Sequence, residues 1–458
     1  MYDVAIIGGG FAGIYSAWRC AHAGLKVLLV EKDDHLGGAL HSVEKLGYLV
    51  DIGAHHLDLR APRDAEFYGD ILGGSLKIIE NHGWASTTGG AFTFGLEVPD
   101  FSTSDTDLCA KALSELAQIR ESEVQPEGLQ DWLSWKFGTT LSTHLGAIVA
   151  KVTGAPASAL DRAAASGLGM LSRVKLGSDS EMVALKGQSE ILNDRLAVSL
   201  ACRDIRFLGK NNTFRFGYPA SGSLRAFCTS AAERLTELKV EIRLGESILD
   251  ISSRPESVSL TLSDSKATAR SVLWTLPENG LLKLLRLDSE VSMASQPVGA
   301  VIHVFEVGVD DILGPSYVHD FSPDRVSFRY SRPGTYSGQI RPDGRTFVLA
   351  EIPCHPAHVD HSTGLQNHAW RDLVASGYLR GDAQCLGHAS LQYPVAYALP
   401  RPGWQPIVDR AKTLISESVP RILSIPFKQR GRDSFMTYFD DQLMPVLMDR
   451  NASLGRTT

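Results

Sequence analysis

Three glycines near the start of the chain have the spacing of a phosphate-binding turn. Gly8, Gly10 and Gly13 form G-x-G-x-x-G directly after a short apolar run, and a second apolar run ends at Glu31. In such a turn the first glycine allows a tight bend and the second lets a pyrophosphate approach the backbone. The third lets the following helix pack closely on the strand. The pattern therefore predicts a dinucleotide site, with a glycine turn that binds no ligand as the alternative.

The residues around this turn indicate how a dinucleotide would bind. Free N–H groups at the start of the helix, on Phe11 and Ala12, would face the phosphates. The Glu31 carboxylate would accept hydrogen bonds from ribose hydroxyls, and its charge disfavours the 2′-phosphate of NADP. Lys32, which follows Glu31 in the sequence, belongs to the same predicted set of cofactor contacts.

The elements that must position these residues follow an α/β pattern. A first βαβ unit extends to about residue 32, and residues 40–52 alternate like a hairpin. Residues 105–173 have mainly helical periodicity, and strands and helices alternate again from Tyr218. A chain of 458 residues exceeds the size at which one hydrophobic core stops growing. We therefore predict two domains in an α/β fold.

The predicted domains are both discontinuous in sequence. Residues 1–60, 215–290 and 400–450 would form a Rossmann-type nucleotide-binding domain. Residues 61–214 and 291–399 would form an inserted α+β domain that binds the substrate.

The composition narrows the possible partners and the location. Net charge is −7, which gives no reason to expect nucleic acid or an anionic membrane surface as a partner. The apolar stretches are much shorter than the ~20 residues of a membrane span, and the first predicted strand leaves no room for a signal peptide. Six scattered cysteines without a C-x-x-C pair indicate reduced thiols. These features predict a cytoplasmic protein without a membrane span.

A pair of glycines after Glu31 makes a family resemblance specific. Gly37-Gly38 follows this acid six residues later, which resembles the flavoprotein family of amine oxidases, protoporphyrinogen oxidase and UDP-galactopyranose mutase. The resemblance implies a glutathione-reductase-like FAD-binding domain, with both glycines near the FAD pyrophosphate. Asp51-Ile52-Gly53-Ala54-His55-His56 resembles the D-x-G-x-H segment that passes the flavin ring in this family.

Further segments carry the resemblance along most of the chain, and some depart from it. Similar segments include Asp131–Gly138, Lys151–Gly154, Tyr218–Leu224, Asp324–Cys354, Gln392–Tyr397 and Gly431–Gln442. Ala147-Ile148 replaces the Pro-Tyr of the family's P-Y-x-x-K element, and residues 206–218 match the mutase's tyrosine-rich segment only loosely. These departures argue against a standard galactopyranose mutase. Cofactor contacts implied by the resemblance are Gly53, Ala54, His55, Ile248, Arg432, Tyr438 and Gln442.

Because flavin carries out its own chemistry, a catalytic triad is not required, and the sequence contains no convincing one. No cysteine has the Ser-Gly-Gly-Cys setting of a covalent flavin, so we expect FAD to be held non-covalently. His55 and His56 are candidates for hydrogen bonding or proton transfer near the ring, although either could simply bond a backbone carbonyl. Arg329 could clamp a phosphate or carboxylate, or be a solvated surface residue. Tyr393 and Tyr397 could each stack on or hydrogen-bond a substrate, or pack in the core.

Other polar and aromatic patterns have simpler explanations. His355, His358 and His361 form H-x-x-H-x-x-H, but Pro356 favours a loop, and we predict no metal site. Lys151 is most simply a helix-surface residue in a salt bridge. Trp132 and Trp135, three residues apart, are most simply core residues.

Two hypotheses about activity follow, both with a small molecule as substrate. The first is a FAD-dependent oxidoreductase that accepts a hydride from a small amine, alcohol or similar C–H group. The second is a mutase-like flavoenzyme acting on a nucleotide sugar without net redox, supported by the helix at Asp131–Gly138. A third, non-catalytic hypothesis keeps FAD as a structural ligand. The sequence does not identify the substrate, the electron acceptor or the oligomeric state.

Overall fold

The computed structural model describes residues 1–52, 56–59, 61–79, 84–103, 106–119, 124–199, 216–287, 290–426 and 431–452. Its strands are β1 (Tyr2–Ile7), β2 (Val27–Val30), β3 (Val43–Lys45), β4 (Tyr48–Val50), β5 (Leu57–Asp58), β6 (Leu76–Ile79), β7 (Trp84–Thr87), β8 (Thr93–Phe94), β9 (Phe216–Pro219), β10 (Glu241–Arg243), β11 (Ile248–Ser253), β12 (Val258–Leu262), β13 (Lys266–Trp274), β14 (Ser295–Gly308), β15 (Tyr317–Asp320), β16 (Arg329–Ser331), β17 (Arg345–Cys354), β18 (Gly387–Pro400) and β19 (Ile422–Ser424).

The helices alternate with these strands or gather in the stretch between β8 and β9. They are α1 (Phe11–His22), α2 (Pro62–Leu72), α3 (Thr106–Gln118), α4 (Leu129–Thr153), α5 (Ala164–Gly167), α6 (Asp179–Lys186), α7 (Glu190–Arg195), α8 (Ser223–Glu237), α9 (Glu278–Leu284), α10 (Pro333–Tyr336), α11 (Val359–Thr363), α12 (Gln366–Ala375), α13 (Trp404–Ser418), α14 (Arg432–Tyr438) and α15 (Met444–Ala452). Across the described ranges, no helix is long and apolar enough to cross a membrane.

The first large sheet has the order β10-β2-β1-β13-β12-β11, and β19 also pairs with β13. Strands β10, β2, β1, β13 and β19 are parallel, whereas β12 and β11 add antiparallel pairs. All four residues of β2 are buried, as expected for a parallel strand covered on both faces. Helices α1, α2 and α8 contribute to the core on one face, and α9 and α13 to the core on the other.

The second large sheet has the order β18-β14-β17-β16-β15-β7-β8. Its pairs are antiparallel except for β15 with β7. One face of β14 and β17 packs on β4, through residues such as Ile302 and Leu349 against Tyr48. The other face is covered by α12 through Phe305 and Ala369. This sheet therefore places one face beside the hairpin that follows the glycine turns.

Helix α4 is interrupted near its middle. Gly138 has φ +83° and ψ 169°, so the segment before it and the segment after it are two helices joined at a kink. Leu129, Leu133 and Phe137 before the kink, and Leu141 after it, are fully buried in a helical core. A Cβ at Gly138 would lie 2.6 Å from a Glu115 carboxylate oxygen, so both backbone angle and space favour glycine here.

The predicted fold class is confirmed: the chain is α/β with a Rossmann-like nucleotide-binding sheet. The division into 1–60, 215–290 and 400–450 against 61–214 and 291–399 remains a prediction. A small sheet of order β5-β9-β6 crosses the predicted boundary at residue 60, since β5 and β9 belong to one predicted domain and β6 to the other. The loop predicted at His355–His361 is wrong. Residues Pro356–His358 form a 3₁₀ turn that continues into α11, because Pro356 is well suited to the first turn of a helix.

Candidate functional site

The first glycine turn leaves open space in front of a helix start. Gly8 has φ +103°, and a Cβ at Gly13 would lie only 1.9 Å from the Gly8 carbonyl oxygen. Gly10 is the N-cap of α1 and has no side chain to cap the helix. Among the described atoms, nothing lies within 4 Å of the position of a Gly10 Cβ. The first N–H groups of α1, including those of Phe11 and Ala12, are therefore available to an anion.

A second glycine turn closes against the first. Gly37 donates its N–H to the Gly9 carbonyl at 2.8 Å and has φ +121°. A Cβ at Gly38 would lie 3.3 Å from the Gly10 Cα, so a side chain there would crowd the open space. A Cβ at Gly37 would lie 2.3 Å from the Cys228 sulfur. The sequence-predicted glycines are thus brought together as one cradle, defined here as Gly8–Gly13 with Gly37 and Gly38.

Glu31 lies beside this cradle at the end of β2. Its carboxylate accepts the Gly9 N–H at 2.6 Å and the Asp33 N–H at 3.0 Å, which fixes it against the turn. The Glu31 carbonyl accepts the Glu246 N–H, so the segment leading to Ile248 runs alongside. Lys32 points outward, with 70% of its side chain exposed and its ammonium 3.3 Å from Asp33. Glu31 therefore lies at the cradle, the Lys32 side chain faces solvent, and Ile248 begins the strand β11 two residues after Glu246.

The C-terminal helices pack against α1. The Asp440 carboxylate accepts hydrogen bonds from the Tyr15 hydroxyl at 2.7 Å and the Arg19 Nε at 2.8 Å. Arg432 begins α14, and its buried Nη1 has no hydrogen-bond partner within the described ranges. Tyr438 at the end of α14 is half-buried, and Gln442 is exposed on the π-helical turn that follows.

These observations test whether the residues present fit FAD. The space in front of Gly10 is open, and a side chain at position 10 would fill it. The uncapped N–H groups at the start of α1 face this same space. A buried Arg432 nitrogen lacking a partner in the described residues suits an additional phosphate contact. The donor set is thus one of N–H groups and a cation, which fits a pyrophosphate.

Asp51 links the segment that follows the second glycine turn to β9 and α8. Its carboxylate is 1% exposed and accepts hydrogen bonds from the Ser42 hydroxyl at 2.6 Å, the Tyr218 hydroxyl and the Leu224 N–H at 3.2 Å. Burial raises the pKa of Asp51 to about 6, although these donors act in the opposite direction. Ser42 also accepts a hydrogen bond from Ser223, which extends the network.

Beyond Asp51, aromatic rings surround His56. The His56 ring centroid lies 5.0 Å from Tyr336, 5.7 Å from Phe216 and 6.1 Å from Tyr317. The Tyr336 ring packs edge-on against Tyr218 at 5.2 Å. Its hydroxyl is buried without a hydrogen-bond partner among the described residues. A buried hydroxyl normally has a partner, so Tyr336 points to a position where a ligand atom would complete the bond.

The predicted Arg329 lies in the same region, but it is already paired. Its Nε and Nη2 bond the two Glu351 oxygens at 2.8 and 2.5 Å, across directly opposed positions of β16 and β17. Tyr317 donates its hydroxyl to Glu97 nearby. The Arg329 side chain keeps 26% of its exposure, so it borders an open space. We call this space, lined by Asp51, His56, Tyr317, Arg329, Tyr336 and Glu351, the chamber.

Two predicted tyrosines lie on β18. Tyr393 packs partly against the core formed by Ile302 and Leu391, and burial raises the pKa of its hydroxyl to about 12. Tyr397 interacts electrostatically with Arg329, and its hydroxyl donates to the Val152 carbonyl at 2.8 Å. Tyr397 therefore lies closer to the charged groups of the chamber than the predicted Tyr393.

Several sequence predictions require correction or lie elsewhere. Gly53, Ala54 and His55 lie outside the described residues. Lys151 forms the predicted salt bridge, with Asp320 at 3.7 Å, but its side chain is only 10% exposed and its ammonium also donates to the Ser322 carbonyl at 2.8 Å, so it does not lie on a helix surface. Trp132 packs against the helical core as predicted, but both Trp132 and Trp135 are only partly buried and line a cavity.

Sequence reasoning missed Tyr317, Tyr336 and Glu351 as neighbours of Arg329. The sequence around Arg329-Tyr330 does not indicate which strand pairs with this segment. A usable signal was present for Asp51, since it begins the segment that resembles D-x-G-x-H.

Comparisons with known proteins agree with this geometry. Residues 6–71 match the family model of an NAD(P)-binding Rossmann-like domain. A reduced UDP-galactopyranose mutase superposes with TM-score 0.73 at 15% identity, covering 100% of this chain and 96% of that one. Cyclohexylamine oxidase from Brevibacterium oxydans IH-35A superposes with TM-score 0.63 at 14% identity, over 99% and 100% of the two chains. The chain has the fold of the FAD-dependent amine oxidase-like family.

The sequence relatives match only short stretches of this chain. (S)-6-hydroxynicotine oxidase of Paenarthrobacter nicotinovorans is 43% identical over 60 residues, which is 12% of this chain and 14% of that protein. The matches to the curated relatives span 8% to 16% of their lengths. The predicted resemblance is confirmed for the fold, and the chamber lies mostly beyond the matched segment.

Proposed function

We propose that this flavoprotein-fold chain is a FAD-dependent oxidoreductase that oxidises a small-molecule metabolite. One observation carries the proposal: the buried Asp51 carboxylate binds Ser42, four residues after Gly38 of the cradle, and Tyr218, whose ring packs on Tyr336 of the chamber. A dinucleotide seated at the cradle would thus extend toward a space lined by polar and aromatic groups. A purely structural ligand would not require such a chamber.

FAD would be held by five residues, namely Gly10, Gly37, Gly38, Glu31 and Arg432. When bound, FAD supplies the redox chemistry by accepting a hydride from carbon, while the protein orients and desolvates the reacting groups. The cysteine nearest the cradle supports non-covalent binding. Burial raises the pKa of Cys228 to about 12, which keeps it a thiol rather than a nucleophilic thiolate.

The charge of the chamber favours a neutral or cationic substrate. The Arg329 charge is matched by two bonds to Glu351, and Glu97 and Asp51 add carboxyl groups around the same space. A nucleoside diphosphate carries negative charge that these carboxylates would repel. A small amine or alcohol would not meet this repulsion.

Two residues of the chamber would contact that substrate. The Tyr336 hydroxyl would donate to or accept from a substrate heteroatom, because its own buried oxygen lacks a partner in the described structure. The His56 imidazole, 5.0 Å from the Tyr336 ring, would accept the proton that the substrate heteroatom releases as the carbon is oxidised. The rings of Phe216 and Tyr317 would exclude water from the same volume.

A mutase-like activity on a nucleotide sugar is the second candidate. The TM-score of 0.73 to a UDP-galactopyranose mutase over the whole chain favours it. The pairing of Arg329 with Glu351 counts against it, because a diphosphate would have to displace a carboxylate held by two bonds.

Anaerobic mixing with substrate panels distinguishes these activities. An oxidised amine or alcohol should bleach the flavin band at about 450 nm in a single turnover. A mutase would leave the oxidised band unchanged and convert nucleotide sugars only after reduction by dithionite. Absence of both responses across amine, alcohol and nucleotide-sugar panels would contradict the proposed oxidoreductase.

We also infer that the protein is cytoplasmic. Unpaired thiols support a reducing compartment, namely Cys20, Cys228, Cys354 and Cys385 in the described ranges. Fractionation of cells that express the tagged chain tests this location.

A further inference from the structure

A cavity of about 190 Å³ lies between α4 and α7, away from the cradle and the chamber. Seven residues line it: Gln125, Trp132, Trp135, Lys136, Ile191, Asp194 and Arg195. Helix α4 contributes both indoles before its kink at Gly138. Ligand sites for drug-sized molecules are typically larger than about 300 Å³, so this cavity suits a molecule with a single ring.

Two cationic side chains are buried in its walls. Lys136 is 9% and Arg195 is 3% exposed. The Lys136 ammonium lies 5.3 Å from the Trp132 ring, and the Arg195 guanidinium lies 5.7 Å from the Trp135 ring. Asp194 bonds Lys136 at 3.0 Å but keeps 66% of its side-chain exposure, so it lies at the rim. The lining therefore places two cationic side chains beside two flat apolar surfaces.

The Trp135 indole adds a donor without an acceptor. Its Nε1 is buried and has no hydrogen-bond partner among the described residues. A buried indole N–H usually finds an acceptor, and a solvent-filled or ligand-filled cavity is where one would come from. The Trp135 N–H without an acceptor and the nearby Lys136 ammonium both suit the same kind of ligand atom, an anionic oxygen.

The wall formed by α7 is held in place by bonds that do not involve the cavity. Lys186 donates to the carbonyls of Asn193 and Leu196, both at 2.7 Å. Arg173 donates to the same Asn193 carbonyl at 3.2 Å. The C-terminal carbonyls of α7 are thus tied down on both sides of Arg195, which keeps this wall fixed before any ligand binds.

We propose that this cavity binds a small aromatic carboxylate. The carboxylate would accept hydrogen bonds from the Trp135 N–H and from Lys136 and Arg195, and would displace Asp194 toward solvent. The ring would lie against the Trp132 indole and Ile191. Neither a bare inorganic anion nor an aromatic amine would satisfy both the charge and the apolar walls.

Calorimetric titration of the FAD-loaded protein with benzoate tests the site, with tryptophan fluorescence as a second readout. We expect saturable benzoate binding that acetate, inorganic phosphate and benzylamine do not reproduce. Trp135→Phe keeps an aromatic ring and removes the N–H, so benzoate affinity should fall about tenfold or more. Trp370→Phe serves as the control, because Trp370 packs on Phe305 beyond the cavity and should leave affinity unchanged.

A second variant, Lys136→Gln, keeps the test available if Trp135→Phe fails to fold. It should lower the affinity for benzoate by a similar factor. No benzoate binding at about 10 mM would overturn the proposal. Equal binding of acetate or phosphate would also overturn it, since the apolar walls would then play no role. Unchanged affinity in both folded variants would show that benzoate binds elsewhere.

Discussion

Replacing Gly10 by alanine should separate cofactor binding from folding. Gly10 has φ −71° and ψ −174°, an extended conformation that alanine adopts without strain. The added methyl group would meet nothing within 4 Å in the described structure. Folding should therefore change by no more than about 0.5 kcal/mol. The methyl group would instead occupy the space in which the pyrophosphate approaches the backbone.

The expected loss of FAD affinity follows from overpacking a close contact. Inserting a methyl group into a well-packed contact typically costs about 1–3 kcal/mol, which corresponds to a dissociation constant about 5 to 140 times larger. Gly10→Val adds two further methyl groups and should abolish binding. We therefore expect FAD affinity to fall stepwise from wild type to Gly10→Ala to Gly10→Val. The stability of the flavin-free protein should change little.

The measurement is titration of flavin-free protein with FAD, followed by quenching of flavin fluorescence, together with thermal unfolding of each variant. Gly69→Ala is a matched control, because a Cβ there also meets open space but lies on α2. It should raise stability by about 1 kcal/mol, as alanine favours helix over glycine, and leave FAD affinity unchanged. Wild-type FAD affinity in Gly10→Val would refute the placement of the pyrophosphate at the cradle.

Three further predictions concern Glu31, Tyr336 and His303. Glu31→Gln keeps the size of the side chain and removes its charge, so FAD affinity should fall about tenfold in the same titration; full flavin occupancy after dialysis would contradict the ribose contact. Tyr336→Phe removes a buried hydroxyl that lacks a partner among the described residues. The unfolding temperature should therefore stay the same or rise, while kcat/KM for the identified substrate should fall. An unchanged kcat/KM would show that the substrate binds elsewhere. Burial lowers the pKa of His303 to about 4, so the unfolded chain binds the extra proton between about pH 6.5 and pH 4. The free energy of unfolding should be highest above this window and should fall by about 3 kcal/mol as the pH drops through it. Urea unfolding of His303→Gln should show a smaller fall in this free energy. An identical pH dependence in the wild type and the variant would exclude His303 as a contributor.

The glycine cradle could be predicted from the sequence because its requirements are local. Position 13 must be glycine because a Cβ there would lie 1.9 Å from the Gly8 carbonyl oxygen. Gly8 and Gly13 are also close neighbours in the chain. The second turn at Gly37 was found through a family resemblance, and its physical reason became visible only with the Gly9–Gly37 hydrogen bond. Short-range spacing therefore carried most of the cofactor prediction.

The chamber could not be predicted because its contacts depend on strand pairing. Arg329 meets Glu351 only because β16 and β17 pair in the register that opposes them, and no local pattern specifies that register. The error at Trp132 and Trp135 has a similar origin. Their spacing of three places both on one side of α4, but Leu129, Leu133 and Phe137 determine which side meets the core.

The order of strands in the first sheet has a consequence during synthesis. Tyr2 pairs with Ala269, so the second edge of β1 stays uncovered until 267 further residues have left the ribosome. At about 5–20 residues per second, that interval lasts roughly 13 to 53 s. Throughout it, the apolar segment Val4–Ile7 presents an unpaired edge that can pair with other nascent chains. The strand that later carries the cofactor turn is therefore exposed to mispairing early in the life of each molecule, when a chaperone that covers its edge would protect it.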